Sequence, residues 1–175
     1  MKAHPIPSLL ALLALIPGLG CERTDADPSV PSPATAYDAP FRTDAQLTSE
    51  LDTLCRTALE SARPLLVEFS AAWCSDCRRL HGMKQDPALA DELDAWPRIV
   101  VNVGRFDRHR PLLDALGVES IAHWEVLAPT RCDAPIADWP SLARRTLEVS
   151  SGEARNLTPD DLARWLAAFR AGGSG

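Results

Sequence analysis

Apolar residues recur at three- and four-residue steps through Leu47, Leu51, Leu54, Cys55, Ala58 and Leu59. That period predicts an amphipathic helix, with Asp44 as its cap and Pro64 as its stop. The pattern then changes. Leu65-Leu66-Val67-Glu68-Phe69-Ser70 is short and almost continuously apolar, which predicts a strand buried on both faces. After the turn Ala71-Ala72-Trp73, Cys74, Cys77, Leu80 and His81 fall at helical spacing as far as Met83. Asp86-Pro87 then supplies a cap and a first-position proline for a restart through Leu93, so this helix is bent or broken near Gly82. Residues 98–103 read as a second strand, and residues 111–116 as a short helix closed by Gly117. Residues 121–127 give a third strand and residues 146–149 a weak fourth. Thr158-Pro159-Asp160-Asp161 opens a last helix with Leu162, Trp165, Leu166 and Phe169 as its buried stripe.

This order implies parallel strand pairing early and a hairpin late. The expected fold class is therefore α/β, a mixed central sheet with helices on both faces. The N-terminus follows another logic. Lys2 and His4 precede an apolar run at residues 6–16, too short to span a bilayer, which takes ~20 residues, but of the length of a signal-peptide core. Pro17-Gly18-Leu19-Gly20-Cys21 resembles a bacterial lipobox, which implies lipidation of Cys21 and a lipid anchor to the membrane. Gly18 departs from it, because leucine usually stands three places before the cysteine; plain secretion is the alternative. The expected organisation is a signal peptide at 1–20, a Pro/Ser/Asp-rich tether at 21–43, one domain at 44–171 and a flexible tail at 172–175. A net charge of −6 with 46% hydrophobic and 24% charged residues argues against nucleic acid as a partner. Export would place the cysteines where disulfides persist, on the periplasmic side of a bacterial envelope.

Cys74 and Cys77 stand three apart where a buried strand hands over to a helix, so both sulfurs lie on its first turn. Unpaired backbone N–H groups and the positive end of the helix dipole stabilise a thiolate there, bringing a cysteine pKa from ~8.5 to ~7 or lower. Thiol–disulfide exchange runs through a mixed disulfide that a second thiol must resolve. Cys74, nearest the helix start, is expected to attack and Cys77 to resolve.

The segment from Val67 to Cys77, an apolar strand ending in Trp73-Cys74-Ser75-Asp76-Cys77, resembles the active site of the thioredoxin superfamily. The run Val101-Asn102-Val103-Gly104-Arg105-Phe106-Asp107, followed by a short helix and Gly117-Val118, resembles bacterial members, and the likeness covers about residues 45–170. It implies a thioredoxin-like fold and a thiol–disulfide oxidoreductase acting on exported protein thiols and disulfides with an unidentified redox partner. It also places Glu68 where the family has a buried acid implicated in proton transfer to the inner cysteine; a carboxylate at a strand edge is the other reading. Trp73, Ser75, Asp76, Ala122 and His123 would form the rim. Ala122 stands where the family has a cis-proline. A cis peptide costs a non-proline residue ~2.5–4 kcal/mol, so that bond is not expected here. Asp76 should oppose the helix dipole at the thiol.

On the same alignment His123 would lie beside the cysteines. A non-catalytic thioredoxin-fold module binding a metal ion or a partner protein is therefore the alternative function, two thiolates and an imidazole suiting copper or zinc. No metal and no cofactor enter the favoured reading, and a monomer is expected. Cys55 lies on the first helix's apolar stripe, where a free cysteine behaves as a small hydrophobe. Cys132 falls in an irregular stretch, 129–140, longer than the family's hairpin turn. In a thioredoxin-like fold that hairpin and the end of the first helix lie away from the active site, so a Cys55–Cys132 disulfide pinning the loop is the competing reading.

Overall fold

The computed structural model describes residues 40–148 and 156–170. The expected signal peptide, Cys21, most of the expected tether, Val149 and the expected tail lie outside the described residues. Helix α1 spans Asp44–Ser61, strand β1 Leu65–Ser70, α2 Ser75–Met83, α3 Pro87–Asp94, β2 Arg98–Asn102, α4 Arg110–Leu116, β3 His123–Leu127, β4 Ser141–Thr146 and α5 Pro159–Arg170. No helix among them is long and apolar enough to cross a membrane.

The sheet order is β2-β1-β3-β4. Strand β1 runs parallel to β2 and antiparallel to β3, and β4 closes the edge antiparallel to β3. All six β1 residues are buried, because this interior strand has helices over both faces. On one face Val67 and Phe69 pack with Leu47, Leu51 and Cys55 of α1 and Leu112 and Leu113 of α4. On the other, Leu66 and the fully buried Trp124 pack with Cys77 and Leu80 of α2, Leu89 and Leu93 of α3, and Leu162 and Leu166 of α5. Each such aliphatic or aromatic side chain contributes ~1.5–3 kcal/mol on burial. The mixed sheet read from the sequence is the one observed.

Four details differ from the sequence reading. The α1 cap is Thr43, not Asp44: the Gln46 amide donates to Thr43 Oγ1 at 3.2 Å, and the Gln46 side chain accepts from the Thr43 amide at 2.8 Å. Asp44 instead meets His109 Nδ1 at 2.6 Å. Leu59 is exposed, since buried Cys55 and Ala58 already take the inward positions of that turn. The third strand starts at His123, and the Ile121–Ala122 peptide is cis. Ala122 is buried there with its carbonyl accepting from the Leu147 amide at 2.7 Å. The fourth strand is Ser141–Thr146, ahead of the expected 146–149. As an edge strand it needs no apolar period: the backbone ladder to β3 holds it, and Leu142 points outward.

Candidate active site

Strand β1 ends at Ser70, whose carbonyl accepts from Val103 N–H, and the chain turns through Ala71–Trp73 with Cys74 N–H donating to Ala71 O. Cys74 is the N-cap of α2. Its sulfur accepts from the Cys77 amide at 3.0 Å, so an unpaired donor of the helix start points at Sγ. Cys74 and Cys77 are joined in a disulfide with α-carbons 5.2 Å apart. Cys74 retains 4% exposure and Cys77 none, so the outer sulfur of the pair is the one at the cap.

Glu68 projects to the cysteine face, because Val67 and Phe69 on either side of it face α1 and α4. It is no strand-edge carboxylate, since β1 lies between β2 and β3. Lys84 Nζ reaches both carboxylate oxygens at 2.8 Å, and the Trp124 indole donates to Oε2 at 3.1 Å. The ion pair is almost closed to water, at 12% and 5% side-chain exposure. Sequence reasoning missed Lys84. The signal was present: His81 on α2 and Lys84 at its C-cap follow Cys77 by four and seven residues, a spacing that keeps them on its side of the helix. His81 has its pKa lowered, first by burial and then by the Lys84 charge, with the Glu68 charge pulling the other way.

Around the pair, Trp73 is half exposed and its indole N–H donates to Gly104 O at 2.6 Å. Gly104 has φ +60°, and a Cβ there would fall 2.1 Å from Asp107 Oδ1, so any other residue would strain the backbone and displace the Asp107 carboxylate from the turn that receives Trp73. Ser75 is exposed and Asp76 half-buried on the first turn of α2. Ala122 is buried on the cysteine face. His123 is not beside the cysteines. It pairs with Phe69 across the ladder, its ring 6.0 Å from the Phe69 ring, and its Nε2 lies 3.1 Å from Glu125 on the opposite face of the sheet. Side-chain alternation requires this once Ala122 and Trp124 face the cysteines. Among the described residues no three His, Cys, Asp or Glu side chains cluster as a metal-binding set.

Cys55 and Cys132 form a second disulfide, 77 residues apart in sequence and with α-carbons at 5.7 Å. It ties α1 to the stretch between β3 and β4, which carries a 3-10 turn at Ile136–Asp138.

No family model matches the chain, and no curated protein matches it. Solved structures do. A disulphide isomerase from Xylella fastidiosa Temecula1 is similar at a TM-score of 0.56 and 20% identity, covering 74% of this chain and 95% of that one. The C-terminal domain of Neisseria meningitidis DsbD is similar in its reduced form at 0.55 and in its oxidised form at 0.56, both at 19% identity over 75% of this chain and 100% of that domain. Together with the mixed four-stranded sheet, the helices on both faces and the cysteine pair at the start of α2, these likenesses show that the chain has a thioredoxin-like fold.

Proposed function

We propose that the protein is an extracytoplasmic thiol–disulfide oxidoreductase whose redox centre is Cys74 and Cys77. The observation that carries this reading is the disulfide at the α2 N-terminus, its outer sulfur receiving a helix N–H and a buried carboxylate on the same face of the sheet. In the reducing direction the Cys74 thiolate attacks a substrate disulfide, forming the mixed disulfide and releasing one substrate thiolate. Cys77, having lost its proton, attacks Cys74 Sγ, which closes the Cys74–Cys77 bond and frees the second thiolate. Two electrons pass to the substrate. Glu68 lies on the inner side of the pair and is the group suited to take the Cys77 proton; Lys84 and Trp124 fix where its oxygens sit.

Reduction of insulin by dithiothreitol tests this. The wild-type chain should accelerate it, Cys74→Ser should abolish the acceleration, and Cys77→Ser should accumulate mixed disulfides. No acceleration by wild type, or full activity in Cys74→Ser, sinks the reading. The metal-binding alternative places His123 beside the sulfurs, and His123 instead packs on Phe69 on the other face of the sheet.

The periplasmic location and the lipid anchor rest on the apolar run at residues 6–16 and on Cys21. Expressed with its N-terminus in a bacterium, the protein should fractionate with membranes and take up radiolabelled palmitate. Cys21→Ala should release it to the soluble periplasm.

A further inference from the structure

Beside Cys74, on its Trp73 side, a groove of about 300 Å3 opens between the Ala71–Trp73 turn and the loop that follows β2. Its walls bring Trp73 and Ala72 against Arg105, Asp107 and Arg108. The far wall is held firmly: Trp73 bonds Gly104 O, Gly104 N–H donates to Asn102 Oδ1 at 2.9 Å, and Arg105 N–H donates to Asp107 Oδ1 at 2.8 Å. The Asp107 carboxylate is thus spent on the turn itself, and its pKa is lowered first by that Arg105 amide. The Arg108 guanidinium lies 4.5 Å over the Phe41 ring, and the Asp107 carboxylate, which feels the charges of both Arg108 and Arg105, offsets only one of the two. Outside the lining, exposed Arg78 donates to Ala72 O, a residue of the near wall, at 2.8 Å.

Most of the described arginines away from this rim are ion-paired. Arg42, Arg56, Arg98 and Arg110 each hold a carboxylate within salt-bridge distance. Arg78, Arg105 and Arg108 form no ion pair among the described residues, on a chain of net charge −6. The nearby carboxylates are Asp107, which accepts from the turn and offsets one of the two loop guanidiniums, and Asp76, which has an interaction of its own, so the rim keeps a net positive charge. Three guanidiniums beside a nucleophile favour a partner carrying negative charge, by steering its approach and by pairing with it in the groove.

We propose that the groove is a substrate subsite: Arg105 and Arg108, with Arg78 at the rim, select polypeptides in which acidic residues flank the cysteine attacked by Cys74. This rests on the oxidoreductase reading and adds a substrate class to it. The bound segment lies against the exposed face of Trp73, with its carboxylates toward the two loop arginines and its disulfide over Cys74.

Three synthetic peptide disulfides of equal length test it, the cysteine flanked by Glu, Gln or Lys, with dithiothreitol as terminal reductant. Dithiothreitol reduces Cys74–Cys77 to the dithiol, which reduces the peptide disulfide to two thiols. At low ionic strength the Glu peptide should exceed the Gln peptide in kcat/KM by about fivefold to tenfold, with the Lys peptide below both. The preference should fall towards unity at high salt and in the double variant Arg105→Gln/Arg108→Gln. Equal rates on the three peptides overturn the subsite and leave the oxidoreductase reading standing, as does a preference that survives in the double variant. Absence of turnover on every peptide removes the oxidoreductase reading and the subsite with it.

Discussion

Cys74–Cys77 and Cys55–Cys132 occupy opposite faces of one sheet and opposite ends of its central strand. The first follows the end of β1; the second hangs from the stretch after Leu127, which pairs with Leu65 at the start of β1. Their surroundings differ more than their positions. Cys55 is fully buried in the apolar cluster of Leu47, Leu51 and Ala58, in the middle of α1 rather than at a helix start. Cys74 caps a helix, and behind its partner lie Glu68, Lys84 and His81. On the proposed function the same bond is a clamp in one place and a reactive group in the other, and what separates them is polar machinery rather than the sulfurs.

The comparison breaks most readily at the clamp. A cross-link spanning 77 residues removes chain entropy from the unfolded state, which the loop-closure model values at about 4 kcal/mol. Cys55→Ala/Cys132→Ala should lower unfolding free energy by roughly that amount, read as a shift of the denaturant midpoint, while insulin turnover at moderate temperature persists. Lost turnover in a folded double variant would mean that the second disulfide belongs to the chemistry. Removing the Cys74–Cys77 bond, which closes only a three-residue separation, should change stability far less.

Next in size is the ion pair behind Cys77. Lys84→Met leaves the Glu68 carboxylate buried without its cation, and breaking such a pair costs about 3 kcal/mol. Lys84→Met/Glu68→Gln removes both charges and should recover most of the loss. If the single variant is as stable as wild type in chemical denaturation, the pair does not organise this end of the molecule. Smaller again is the rim: Gly104→Ala must accommodate φ +60° and a clash with Asp107, for about 1 kcal/mol or somewhat more. Because Trp73 is tied to Gly104 O, the variant should also quench or shift tryptophan fluorescence.

These contrasts were unevenly legible in the chain. The β1–α2 junction was plain, because an interior strand must be apolar and the helical period starts at the first cysteine. Strand β4 was misplaced because an edge strand is specified by backbone pairing with β3, which leaves little trace in side-chain pattern. His123 was assigned by alignment to the cysteines, although the period of two in β3, with Ala122 and Trp124 inward, already sends it to the other face. Lys84 escaped because its partner is sixteen residues away on another element, and only the tertiary fold brings the two charges together. The cis peptide at Ile121–Ala122 has no signature in an alanine.

The smallest effect is a pH dependence confined to the active-site end. Burial and Lys84 lower the His81 pKa from its ordinary 6.5, and Glu68 only partly offsets them. Above pH 6.5 the ring is neutral both folded and unfolded, so it adds no slope there. As pH falls below 6.5 the unfolded chain takes up the proton first, and the stability associated with the neutral ring is lost as pH drops through the lowered folded value. His81→Gln should therefore flatten the decline in unfolding free energy just below pH 6.5, and should do so equally whether or not the Cys55–Cys132 clamp is present. A slope unchanged by His81→Gln would place the titrating group elsewhere. A slope that vanishes only when the clamp is also removed would couple the two ends, which this fold keeps on opposite faces of the sheet.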